Sequence, residues 1–116
     1  MKGGWSMTYH EPYELLGGDA RDLSRLLRSL IEELEAIDWY NQRMSVSSDP
    51  DVRAVVKHNR DEEMEHAAMV LEIIRRRVPE FDKALRTYLF TDGPVTEIEA
   101  ESQENSSDSE NQLLRP

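Results

Sequence analysis

The chain has 116 residues, with 24 Asp and Glu against 14 Lys and Arg, a formal net charge of −10 and no cysteine. That charge argues against nucleic acid and anionic membranes as partners and favours attraction of cations, while the lack of cysteine excludes disulfides and thiolate zinc sites. The length allows one domain at most, and a helical chain this small needs a partner chain or a metal for stability.

No apolar run reaches the ~18 residues of a membrane span and the N-terminus lacks the apolar region of a signal peptide, which predicts a cytoplasmic protein. Residues 1–18 read as a mixed, Gly-containing N-terminal extension, with Met7 as an alternative start. Asp19 is placed to cap a helix, and Asp22 to lie in its first turn, at the positive end of the dipole. From about Ala20 to Met44, Leu23, Leu26, Leu27, Leu30, Leu34 and Ile37 recur at helical spacing without Gly or Pro, which predicts a first long helix.

Ser45 to Asp49 reads as a short loop, with Ser48-Asp49-Pro50 as a cap followed by Pro at the first helical position. Val52, Val55, Val56, Met69, Val70, Ile73 and Ile74 then mark a second helix to about Arg77, where Arg75-Arg76-Arg77 suit the negative end of the dipole. A loop this short makes the two helices antiparallel neighbours. Pro79 ends the second helix, and Glu80 to Phe90 predicts a shorter third one, closed by Thr91-Asp92-Gly93-Pro94.

A weak helical stretch follows to about Ala100. Beyond it there is too little apolar surface to offset the entropy of ordering, so residues 101–116 read as a disordered acidic tail. The tail ends in Leu113-Leu114-Arg115-Pro116, which suits either a docking peptide or a frayed terminus. The expected fold class is all-α: an antiparallel two-helix hairpin plus a short C-terminal helix, within a helical domain spanning 19–100.

At ~100° per residue, Glu33 projects close to Leu26, Leu30, Ile37 and Tyr40, at the edge of the apolar stripe, while Glu32 and Glu35 point away from it. On the second helix Glu63, His66 and Asn59 fall inside the arc of Val52, Val55, Val70 and Ile73. Polar groups on apolar faces need partners, because an uncompensated buried carboxylate is costly. Glu63 and His66 can satisfy one another, or Arg and Lys across a bundle interface. The other reading is a metal site.

Di-iron carboxylate proteins of the ferritin-like kind take a Glu from each of two helices and a Glu-x-x-His from each of two others. Glu33 with Glu63 and His66 is one half of that set. A second copy related by a two-fold axis supplies the other half, so the predicted site lies between two chains of a four-helix bundle. Carboxylate oxygen plus one imidazole per half-site suits iron or manganese better than calcium or copper. Tyr40, two turns beyond Glu33, fits either a hydrogen-bond donor beside the metal or a core tyrosine. Glu32, Glu35 and Trp39 share the other face, which fits either a passing hydrated cation or plain solvation.

Three segments carry a family resemblance: Glu32-Glu33-Leu34-Glu35-Ala36-Ile37-Asp38-Trp39-Tyr40; His58-Asn59-Arg60-Asp61-Glu62-Glu63 with Glu65-His66-Ala67; and Leu85-Arg86-Thr87-Tyr88-Leu89-Phe90-Thr91. In these the chain resembles the encapsulated ferritins, over about His10 to Ile98. The resemblance implies a two-helix subunit that dimerises into a four-helix ferritin-like unit, with dimers in an open ring, typically a decamer. It also implies ferroxidase iron held by Glu33, Glu63 and His66 of two subunits, with Tyr40 close by. Glu32, Glu35 and Trp39 match an outer site where a divalent cation enters. An open ring encloses no cavity, so storage falls to an encapsulin shell, which the C-terminal tail would address; its end only loosely resembles the Gly-Ser-Leu-Arg type of docking peptide.

Two other readings compete. All-α nucleotide pyrophosphohydrolases also cluster carboxylates on paired helices to hold magnesium, but His66 stands where their pattern has Asp, and imidazole is a poor magnesium ligand. A non-enzymatic helical assembly adaptor would use the acidic face and tail as interaction surfaces.

Overall fold

A computed structural model describes the backbone of residues 9–114 and the side chains of residues 9–105. Met7, Arg115 and Pro116 lie outside the described residues, as do the side chains of Leu113 and Leu114. Among the described residues there are one 3-10 turn, Tyr13–Leu15, and four α-helices: α1 Gly18–Val46, α2 Pro50–Arg77, α3 Pro79–Tyr88 and α4 Val95–Leu114. No strand occurs among them, as the all-α reading expects. They fall into two compact units, Met1–Arg77 and Val78–Pro116, so a boundary lies inside the 19–100 segment.

The first unit is the hairpin of α1 and α2, which pack along one another. Its loop is held by backbone and side-chain bonds that the local sequence encodes. The Asp49 carboxylate accepts from the amides of Asp51 and Val52, at 2.9 and 3.1 Å, and Pro50 follows as the first helical residue. Arg53 reaches back across the loop to donate to the carbonyls of Met44 and Ser47. Farther along, Arg60 Nη1 donates to Asn41 Oδ1 at 3.0 Å and ties α2 to α1.

At the start of α1 the expectation for Asp19 is corrected. Gly17 is the cap, without a side-chain bond, and Asp19 lies in the first turn, where its charge favours the helix through the dipole instead. Upstream, the Arg21 guanidinium covers the Tyr13 ring at 3.7 Å and donates to the Tyr13 carbonyl at 2.6 Å, holding the 3-10 turn to α1.

The apolar stripes are only half covered. Leu23, Leu26, Leu30 and Ile37 are half-buried, whereas Leu27, Ile31 and Leu34 are exposed. On α2, Val70 and Leu71 are half-buried and Ile74 is buried, yet Val52, Val55, Met69 and Ile73 are exposed. The arc expected to enclose Glu63 and His66 is therefore covered on one flank only. Periodicity reports which residues share a face, and one helix lying against another covers part of that face.

In the second unit, Val78 is extended and Pro79 opens α3, as Pro at the first helical position should. The helix ends at Tyr88, short of the expected Phe90. Leu89 is extended and Phe90 has a φ of 61°, so the chain leaves the helix before the Asp92-Gly93-Pro94 signal. The Thr91 hydroxyl donates to the Tyr88 carbonyl at 2.6 Å and helps close the end. The last helix begins after Pro94, whose carbonyl accepts from Glu97 and Ile98, and touches α3.

The backbone of α4 is helical past Ala100 to Leu114, where composition points to a disordered tail. That reading weighs the burial a segment can achieve. A helix also satisfies its own backbone groups, and Val95 to Leu114 contains neither Gly nor Pro to interrupt it.

Candidate metal centre

Antiparallel packing of α1 on α2 brings Glu33 opposite Glu63 and His66, which lie one turn apart on α2. One ligand atom from each of the three falls within 4.8 Å of the others. His66 Nδ1 stands 3.8 Å from Glu33 Oε2 and 3.6 Å from Glu63 Oε2. The side chains of Glu33 and Glu63 are 24% and 25% exposed, and that of His66 43%, so the group lies partly sunk in the hairpin surface.

The two distances to His66 Nδ1 suit a single ion. With metal–oxygen and metal–nitrogen bonds of about 2.0–2.2 Å, two donor atoms on one ion cannot stand more than about 4.4 Å apart. Both distances to Nδ1 fall inside that limit. Two carboxylates and one neutral imidazole leave an ion that prefers six ligands with open positions. Water, dioxygen or ligands from another chain can fill them.

The Arg60–Asn41 bond lies one turn from Glu63 and next to Tyr40, where it links the two helices beside the site. Neither residue is prominent in the sequence. The signal was present only as two polar groups on facing flanks, and which polar groups meet across helices depends on register.

The remaining sequence candidates are not gathered into this group. Glu32, Glu35 and Trp39 are exposed on α1, and they join no cluster of three ligand side chains among the described residues. Tyr40 is half-buried, and its ring faces the Arg43 guanidinium at 5.4 Å. A further residue does approach the group: Glu62, whose Oε2 lies 4.0 Å from His66 Nε2. Its i, i+4 relation to His66 is the sequence signal that could have singled it out.

A helical hairpin with a carboxylate from one helix and a Glu-x-x-His from the other is the half-bundle of a ferritin-like protein. Residues 8–92 match the EncFtn-like family, covering the hairpin and α3, and the chain belongs to that family. It is similar to a ferritin-like protein of Thermotoga maritima, 58% identical over 103 residues, which span 89% of this chain and 88% of the relative. It is also similar to an encapsulated ferritin-like protein of Rhodospirillum rubrum, 53% identical over 82% of this chain and 68% of the relative. A shorter match, 42% identical over 51% of this chain and 46% of the relative, is to an encapsulin nanocompartment cargo protein of Myxococcus xanthus. The crystal structure of a protein from Nitrosomonas europaea superposes with a TM-score of 0.74 at 54% identity, over 75% of this chain and 96% of that one. The resemblance to encapsulated ferritins and the ferritin-like fold expected from it are thereby borne out.

Proposed function

We propose that this protein is a ferroxidase, taking Fe(II) as substrate at a di-iron centre completed by two subunits. The observation that carries the reading is the convergence of Glu33, Glu63 and His66 across the two helices of a half-bundle. One chain offers three ligands. A two-fold partner would double them and place two ions side by side.

The chemistry follows from the donors. Carboxylate oxygens favour Fe(III) over Fe(II), so oxidation becomes easier at such a site. Dioxygen, accepting one electron from each of two ferrous ions and two protons from water, leaves as hydrogen peroxide, and two ferric ions remain. Glu33 and Glu63 hold and neutralise the added charge, and His66 contributes a neutral donor. Tyr40 is assigned a place beside the centre, and Glu32, Glu35 and Trp39 an outer uptake site for divalent cations.

Two observations support a partner chain. Leu27, Ile31, Leu34, Val55, Met69 and Ile73 are between 37% and 60% exposed on the hairpin, which is more apolar surface than a lone hairpin of this size profits from leaving in water. The half-set of ligands is the other. By resemblance, dimers would assemble into a decameric ring. The encapsulin-related relatives support housing of that ring in a shell, reached through the tail ending in Leu113-Leu114-Arg115-Pro116, with iron storage in the surrounding compartment.

Native mass spectrometry of metal-free protein during an anaerobic Fe(II) titration tests this. An even-numbered oligomer that takes up one tightly held iron per chain is expected, and Glu63→Ala should abolish both uptake and the subsequent oxygen-dependent oxidation. A monomer, or an oligomer that binds no iron, rejects the shared site.

A further inference from the structure

Glu33 stands on α1 while Glu63 and His66 stand on α2, so the group comes together only at one setting of the two helices. Two donors of one ion lie within about 4.4 Å of each other, and His66 Nδ1 is already 3.8 Å from Glu33 Oε2, which leaves about 0.6 Å of slack. The loop pins the helices at one end. From Glu33 to Val46, and from Pro50 to Glu63, is 13 residues, so the group lies about 20 Å from that pivot. Over such a length a change of about 2° in the angle between the helices uses up the slack. Apolar contact resists the change weakly, because burial has no direction and, among the described residues, only Ala67 and Ile74 are buried.

A hydrogen bond has direction, and one is built across the hairpin between the loop and the group. Arg60 Nη1 donates to Asn41 Oδ1 at 3.0 Å, with Arg60 one turn before Glu63. The guanidinium is aimed from its own helix: Nε and Nη2 donate to Asp61 Oδ1 at 3.2 and 3.1 Å, and Asp61 Oδ2 accepts from Lys57 Nζ at 2.7 Å. The Arg60 side chain is 18% exposed, so it lies along the hairpin instead of reaching into solvent. A planar fork engaged on both sides has little freedom to follow a moving partner.

We infer that Arg60, oriented by Asp61 and bonded to Asn41, is a positioning residue for the metal centre: it gives the helices a second fixed point and so keeps Glu33 within reach of an ion on Glu63 and His66. The inference rests on the metal reading of those three side chains. Asn41 is exposed and makes no part of the core, so its variants should fold.

Co(II) titration followed by absorption tests this on the full chain. Asn41→Ala removes the acceptor and should weaken affinity by about 10-fold, the lower end of the loss usual for groups that orient ligands indirectly. Its cobalt bands at saturation should also shift, because one donor is displaced; a protein that is merely less stable would show wild-type bands once loaded. Asn41→Asp keeps Oδ1 and should resemble the wild type in both. Arg60→Met keeps the aliphatic stem and should reproduce the loss, and adding Asn41→Ala to it should cost nothing more, since both remove one bond. Arg77→Ala takes the same charge from the exposed end of α2 and should leave affinity unchanged.

Asn41→Ala with wild-type affinity and bands overturns the inference, and so does an equal loss in Asn41→Asp or Arg77→Ala. A wild type that takes up no Co(II) overturns the three-ligand reading itself. The two failures are therefore distinguishable.

Discussion

Near the end of α2, Glu72 accepts hydrogen bonds from Arg75 at 2.7 and 2.8 Å and from Arg76 at 2.7 Å. The bonds from Arg75 first, then those from Arg76, hold its carboxyl down at about 2, against an ordinary value of 4.5. A carboxyl depressed in the folded state stabilises the fold above its unfolded value, and that contribution is lost as pH falls through the folded one. Acid unfolding should therefore show a loss of stability between pH 4.5 and about 2 that Glu72→Gln reduces. Urea titrations across that window check it, and parallel pH profiles for the two proteins would contradict it. The same residue scale shows why the grouping of Glu33 with Glu63 and His66 could be anticipated: angular arithmetic separates a residue on the apolar stripe from its neighbours, and these three share the facing stripes.

At the level of elements, local chemistry decides most boundaries. Asp49 binds the amides of Asp51 and Val52, and Pro50 supplies the helical φ, so the entrance to α2 is encoded in four consecutive residues. Replacing Asp49 by Ala should cost about 0.5–2 kcal/mol, the range found for removing such caps. Chemical denaturation measures it; an unchanged midpoint would show that Arg53 closes the loop unaided. The end of α3 followed a different rule. No Gly or Pro stops the helix at Tyr88, yet Leu89 is extended and the fully exposed Phe90 adopts a φ of 61°, in the left-handed region that an aromatic residue seldom occupies. Sequence signals for a C-terminus are absent there, so that boundary could not be read in advance.

For the whole molecule the informative quantity is the apolar surface that remains uncovered. Among the described residues only Ala67 and Ile74 are buried apolar side chains. Burial on that scale, at about 25 cal/mol per Å² of apolar surface, does not sustain a fold against chain entropy, which is why a second copy belongs to the proposed assembly. Leu34 lies next to Glu33 on the exposed flank of α1, and Leu34→Glu should shift the oligomer toward monomer at a given concentration while leaving the helix content unchanged. Analytical ultracentrifugation decides this, and an oligomer indifferent to the substitution would move the interface to another face.

Sequence alone determined the helices of the hairpin, their antiparallel order and the three side chains that meet across it, because periodicity, caps and a short loop act over neighbouring residues. Tertiary structure decided what those neighbours could not. It chose which flank of each stripe is covered, which nitrogen of His66 faces Glu33 and Glu63, and that Arg60 meets Asn41. Each depends on the rotation and register of one helix against another. A shift of a single turn in packing would leave every local propensity intact and change all three.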